Sequence, residues 1–218
     1  MIKNNIRRES YLKFLNTWKN RDLIKVLSGV RRSGKSTLLA MFQQDLKEQG
    51  VQDENIIAIN FEYMEFEELT YYRKLHDYVL SKVDKNKKNY VFLDEIQHVQ
   101  NFEKVVDSLY IRDYIDLYIT GSNAFFLSGE LATLLTGRYI EQHVLPLSFQ
   151  EFKQWHTENN PTIQQLSNRD LYAMYTRSSF PYTLAMTNQQ ETYDYLQAVY
   201  ASVMFKDERW IRKFEQQL

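Results

Sequence analysis

An α/β fold built on a mainly parallel sheet, with helices covering both faces, is what this sequence predicts, and three observations carry that prediction. Short apolar runs alternate with stretches of helical periodicity from the N-terminus to about residue 145. The runs are too short for helices and mostly apolar along their length, as strands buried on both faces are. The first run ends in a glycine-containing turn that opens directly into a helical stretch.

Element by element, Tyr11 to Trp18 reads as a short amphipathic helix, and Leu23 to Leu27, bounded by Ser28-Gly29, as the first strand. Ser36 to Gln49 carries Leu38, Leu39, Phe42 and Leu46 at helical spacing and stops at Gly50, a residue suited to a helix C-terminus. Asn55 to Phe61 reads as a second strand. Glu67 to Val83 reads as a helix with Leu69, Tyr72, Leu75, Val79 and Leu80 on one side. The polar run from Asp84 to Asn89 is a surface loop. Tyr90 to Leu93 is a third strand, Phe102 to Ile111 a helix, Ile115 to Thr120 a fourth strand and Tyr139 to Leu145 a fifth. From Ser148 the pattern turns helical, over Ser148–Glu158, Ser167–Thr176, Glu191–Phe205 and Asp207 to the end, with no convincing strand. The expected organisation is an α/β core over residues 1–147 and a helical lid or appendage over 148–218, divided near Pro146.

Composition sets the bounds. With 218 residues, 44% of them hydrophobic, the chain can bury a sizeable core. A formal net charge of −1 gives no global positive field for nucleic acid or an anionic membrane, leaving only a local basic patch open. The absence of cysteine excludes disulfides and thiolate metal sites and suits a reducing compartment. The N-terminus is charged, and no stretch approaches the roughly 20 apolar residues of a membrane helix. A cytoplasmic location is the expectation. Three prolines and six glycines leave few breakpoints, and there is no low-complexity linker or internal repeat.

The chemistry is written in three strand-end segments. Gly29-Val30-Arg31-Arg32-Ser33-Gly34-Lys35-Ser36 matches G-x-x-x-x-G-K-[ST] and lies between a predicted strand and a predicted helix, as a phosphate-binding loop must. The glycines let the backbone wrap a phosphate, and the amides at the helix N-terminus point at it. Lys35 brings a cation to the β and γ phosphates, and Ser36 offers a hydroxyl to Mg²⁺, with Thr37 next to it. The second segment, Tyr90-Val-Phe-Leu-Asp94-Glu95, ends a strand in two acids. Asp94 is placed to hold Mg²⁺, and Glu95 to orient or deprotonate a water attacking the γ-phosphate. In the third, Ile119-Thr-Gly-Ser122-Asn123, Ser122 and Asn123 compete for the role of sensing the γ-phosphate or the attacking water.

A guanidinium aimed at the γ-phosphate would neutralise transition-state charge, and Arg138, Arg31 and Arg32 are the candidates. Arg138 lies just before the fifth strand, at the end opposite the ligand edge, and so would more easily reach the site of a second subunit. Surface or ion-paired roles stand beside this reading for all three. Tyr11 and Trp18 precede the first strand and suit either the core or a stack on adenine. His76, His98, His143 and His156 show no metal-ligand spacing.

Taken together, Gly29-Val-Arg-Arg-Ser-Gly-Lys-Ser-Thr-Leu-Leu, Leu93-Asp-Glu-Ile-Gln, Ile119-Thr-Gly-Ser-Asn, Leu131-Ala-Thr-Leu-Leu-Thr-Gly-Arg-Tyr and Pro146-Leu-Ser-Phe-Gln-Glu-Phe resemble the prokaryotic AAA-type ATPases of the AAA_14 group. The likeness runs from about Tyr11 to Phe152. It implies a P-loop NTPase core of the AAA+/ASCE type with strand order 5-1-4-3-2, ATP and magnesium as ligands, Glu95 as the catalytic carboxylate and Arg138 as a functional arginine. Two departures stand out. Group members carry Gly-Gly-Phe-Pro where this chain has Ser178-Ser179-Phe180-Pro181, and they continue into a second C-terminal domain where this chain stops at Leu218, as a fragment or a short form would.

Three functions follow as expectations. The first is an Mg-ATP hydrolase that couples turnover to rearrangement of an attached domain or partner, with a second copy of the chain supplying an arginine in trans. A protein or DNA partner would then be reached through a C-terminal domain absent here. The second is a slow-turnover switch gated by ATP. The third, a small-molecule kinase, needs an arginine-rich lid, and the region after Pro146 offers only the widely spaced Lys153, Arg169 and Arg177. A GTPase is disfavoured because no Asn-Lys-x-Asp motif is present; the run Asn86-Lys87-Lys88-Asn89 lacks the acid.

Overall fold

In a computed structural model of the protein the apolar runs become five strands: β1 (Ile24–Ser28), β2 (Ile56–Asn60), β3 (Asn89–Asp94), β4 (Ile115–Thr120) and β5 (Tyr139–His143). Among the described residues the helices are α1 (Glu9–Trp18), α2 (Lys35–Glu48), α3 (Tyr72–Lys82), α4 (Phe102–Tyr110), α5 (Phe149–Asn159) and α6 (Asn168–Tyr175), and residues 189–201 are also helical. The structure describes residues 6–121, 135, 137–159, 166–186 and 188–201. The stretch from Asp207 expected to be helical lies outside them. Two compact units emerge. One comprises Arg7–Val30 and Gly34–Val144; the other joins Arg31–Ser33 to the residues from Leu145 on, with Ile6.

In the first unit all strands are parallel, in the order β2-β3-β4-β1-β5, which is the expected order. Strand β3 shows why this sheet needs a layer on each face. Its six residues are buried throughout, and alternate side chains serve different cores. Val91 and Leu93 join Ile24, Val26, Ile57, Ile59, Leu117 and Ile119 beneath Leu75 and Val79 of α3 and Val105, Val106 and Leu109 of α4. Tyr90 and Phe92 face the other way, toward Leu15 of α1 and Leu38, Leu39, Phe42 and Leu46 of α2. There Phe92 stacks on Tyr118 at 4.8 Å, and Phe42 meets Tyr118 at 5.3 Å. Each fully buried Leu or Phe contributes about 1.5–3 kcal/mol.

A buried ion pair interrupts this second face. Lys25 of β1 and Asp116 of β4 are 0% and 1% exposed and bonded to one another. The lysine also donates to the Arg21 carbonyl at 2.8 Å. Asp116 accepts further bonds from the Asn20 amide at 2.9 Å and the Tyr118 hydroxyl at 2.8 Å, so both charges are satisfied. Burial pulls the Lys25 ammonium below its ordinary range, while Asp116 pulls the other way.

The expected helix over Glu67–Val83 is divided. Met64–Thr70 is a 3-10 turn, Tyr71 is extended, and α3 begins at Tyr72. Helical spacing alone could not reveal the cause: the Thr70 carbonyl accepts the Gln100 amide at 2.8 Å, and Tyr71 forms a parallel bridge with Gln100. Backbone pairing to a distant segment overrides local periodicity here. Strand β5 ends at His143, two residues short of expectation, though the Val144 amide still bonds to the Ser28 carbonyl at 2.8 Å.

In the second unit, Leu147, Phe152, Trp155 and Leu184 form a core with Ile6, Met174 and Tyr175 against it. Ser148 and Glu151 cap α5 reciprocally, and Ser167 with Asp170 forms a capping box on α6, which explains why helical signals begin at those serines. Ser178 and Ser179, where the resembling group has glycines, do not adopt positive φ. The backbone therefore does not demand glycine at either position. Among the described residues, no helix is long and apolar enough to cross a membrane.

Candidate functional site

The loop after β1 has the backbone its sequence requires. Gly29 has φ +135°, and a Cβ there would lie 2.2 Å from the carbonyl oxygen of Val144, so only glycine fits. Gly34, with φ +100°, caps the N-terminus of α2. Arg32 also adopts positive φ, +68°, a left-handed conformation that costs a non-glycine residue roughly 1–2 kcal/mol. Lys35 is 3% exposed, and its ammonium donates to the carbonyls of Gly29 at 3.1 Å and Val30 at 3.2 Å. Val30, Arg32 and Ser36 are exposed, Thr37 and Arg31 are half-buried, and Ser33 is buried.

The two acids stand at the C-terminal end of β3, which the parallel register brings beside the ends of β2 and β4. Asp94 is buried and held on two sides. Asn60 of β2 donates to its Oδ2 at 2.9 Å, and Thr120 of β4 donates to its Oδ1. Burial pushes the Asp94 carboxyl above the usual carboxylate range, against hydrogen bonds from Thr120 and Ser36 and the charge of Lys35, which lower it. The contacts thus bring Ser36, Lys35 and Asp94 together. Glu95 is buried and left-handed, with φ +58°, which turns the chain out of β3 into a short 3-10 turn, Ile96–His98. Its amide donates to Thr120 Oγ1 at 3.0 Å, so one hydroxyl ties both acids to β4. Gln97 in the following turn donates its side-chain amide to Glu95 Oε2.

Thr120 and Asn60 were not among the sequence candidates. The signal for them was available: once strands 2, 3 and 4 are taken as parallel neighbours, their last residues fall beside Asp94. Ser122 and Asn123 lie outside the described residues. Arg138 sits at the opposite end of the sheet, since Ile24 at the start of β1 bonds to its carbonyl at 2.8 Å. Its guanidinium pairs with Asp107 of α4 and lies over the Tyr110 ring at 5.9 Å, so within this chain it is not brought to Glu95. Tyr11 is buried in the core shared by α1 and α2 with Arg8 over its ring at 4.4 Å, and Trp18 is half-buried. His143 meets Ser28 Oγ at 3.1 Å, and among the described residues no group of three or more His, Cys, Asp or Glu side chains could hold a metal.

The residues fit a magnesium ion. Burial and the neighbouring Glu95 disfavour the charged form of Asp94, which a cation would favour, and Ser36 and Asp94 form the hydroxyl-carboxylate pair such an ion takes when phosphate and water complete its shell.

Comparison with known proteins bears on the family and the fold. A family model described as an AAA domain, AAA_14, matches residues 21–153. An uncharacterised protein of Haemophilus influenzae is 40% identical over 209 residues, which cover 95% of this chain and 51% of the relative. The chain therefore spans about half the length of that relative. Among solved structures, a Walker-type ATPase of Pyrococcus abyssi superposes with a TM-score of 0.60 at 15% identity, covering 97% of this chain and 77% of the other. AMPPCP-bound DnaA from Aquifex aeolicus gives 0.51 at 13% identity, covering 82% and 59%. At these identities the two structures speak for the fold alone.

Proposed function

The chain belongs to the AAA_14 family of AAA domains, and from that premise we propose that it binds Mg-ATP on the Gly29–Ser36 loop and hydrolyses it. One observation carries the reading: Glu95 follows the buried Asp94, and Thr120 ties both to the strand beside the loop that holds Lys35 and Ser36. In the proposed reaction Lys35 leaves the carbonyls of Gly29 and Val30 for the β and γ phosphates, and the amides at the start of α2 bind phosphate oxygens. Ser36 and Asp94 would hold magnesium, which when bound supplies positive charge against the phosphate oxygens. Glu95 orients the attacking water and takes its proton. Turnover then drives rearrangement of an attached domain or a partner in a cytoplasmic setting.

Steady-state ATP hydrolysis with separately measured ATP affinity tests this. Lys35→Ala should lose tight binding. Glu95→Gln should retain binding and lose about 10²- to 10⁴-fold in turnover. Wild-type turnover by Glu95→Gln would overturn the role given to that carboxylate.

A second reading, an ATP-gated switch with little turnover, is favoured by the engagement of Arg138 with Asp107 at the far end of the sheet. Protein concentration separates the two. Specific activity that rises with concentration means an arginine supplied by a second copy, with Arg138 the first to replace; tight binding without turnover at any concentration means the switch.

A further inference from the structure

Gln97 stands out as a half-buried residue whose side-chain bonding is half complete. A carboxylate only accepts hydrogen bonds, so the bond to Glu95 Oε2 fixes which end of the Gln97 carboxamide faces it: the nitrogen. The carbonyl oxygen Oε1 must then point away. That atom is buried and has no hydrogen-bond partner among the described residues. A buried acceptor left unpaired carries an uncompensated desolvation cost, which a donor arriving at another stage of the protein's cycle would offset.

Gln97 lies in the turn Ile96–His98, immediately after the left-handed Glu95, and the two side chains are already joined. A water activated by Glu95 has two O–H bonds. One gives up its proton to the carboxylate; the other must be held if the oxygen lone pair is to face phosphorus. We propose that Gln97 is a positioning residue for hydrolysis: its amide nitrogen holds the Glu95 carboxylate, and its Oε1 accepts the second O–H of the attacking water. This rests on the assignment of Glu95 as the base. No covalent bond to Gln97 forms, and the proton released by the water still goes to Glu95.

The test compares Gln97→Leu, Gln97→Met and Gln97→Glu, with Glu95→Gln alongside, measuring kcat and the dissociation constant for a non-hydrolysable ATP analogue separately. Leu and Met remove both polar atoms at similar size, while Glu keeps the shape but replaces the donor with an acceptor beside Glu95. The expected result is a kcat at least tenfold lower for Leu and Met and lower still for Glu, with analogue affinity within about twofold of wild type. A residue needed only for packing would give the reverse order, because Glu is the closest match in shape. Wild-type kcat in Gln97→Leu or Gln97→Met while Glu95→Gln is inactive overturns the role of Gln97. So does a Gln97→Glu protein more active than Gln97→Leu. Turnover retained by Glu95→Gln is a different failure, that of the assignment of the base.

Discussion

Replacing Thr120 with valine removes the single hydroxyl that joins β4 to both acids while keeping the side chain's shape and strand preference. Two bonds disappear. Glu95 loses the acceptor for its amide at 3.0 Å, leaving a buried N–H unpaired at about 1–3 kcal/mol, and Asp94 loses a donor to a charged carboxylate, worth about 1.5–3 kcal/mol. Together they predict about 3–5 kcal/mol of lost stability. A chain of this length loses roughly 2–4 °C of melting temperature per kcal/mol, so the midpoint should drop by about 6–20 °C. Thr120→Ser keeps the hydroxyl and loses one methyl, about 1 kcal/mol. Thermal unfolding followed by circular dichroism distinguishes the two variants, and ATP turnover in the Val protein should fall with its stability because Glu95 is no longer anchored. Equal losses in the Val and Ser proteins would refute the reasoning, since the hydroxyl would then be shown to hold nothing.

Gly29→Ala places a methyl 2.2 Å from the Val144 carbonyl at φ +135°; a loss of roughly 2–4 kcal/mol in urea unfolding and loss of ATP binding by fluorescence titration should accompany it. Asp116→Asn leaves Lys25 charged and buried without a counter-ion and should cost about 3–5 kcal/mol by urea unfolding, whereas the double replacement Lys25→Met with Asp116→Leu should be milder than the single change. His156 is buried beside Phe152 and Trp155, and burial lowers its proton affinity below the ordinary imidazole range. The unfolded chain therefore binds the extra proton first as pH falls, so stability is full above about pH 6.5 and declines below it. His156→Phe should flatten that part of the stability-pH profile measured by chemical denaturation.

Much of this architecture was legible because it is local or periodic. The strand ends at Thr120, the loop with its two glycines and the Asp94-Glu95 pair all follow from runs of apolar residues closing on small or charged ones. What escaped the sequence depends on chain segments far apart. The break before Tyr72 comes from backbone pairing with Gln100, which no window around Glu67–Val83 contains. Thr120 and Asn60 look like ordinary strand ends until the register sets them beside Asp94. Lys25, an apparent blemish in an apolar strand, has its reason in Asp116, which the sequence separates from it by most of the sheet. The side-chain join between Gln97 and Glu95 is local, but only the fold buries the far end of that amide.

The order of strands also sets a timetable for folding. Strand β1 lies between β4 and β5 and pairs with nothing nearer: Lys25 meets Tyr118 about 90 positions later and Ile140 about 115 positions later. At synthesis rates of roughly 5–20 residues per second, several seconds to some 20 seconds pass before either neighbour exists. Until then β1 is an apolar segment without a sheet, and the turn that follows it cannot be held against Val144. The segment made early is thus finished late, and a nascent chain carries its first strand unpaired until about 90 further residues have been made.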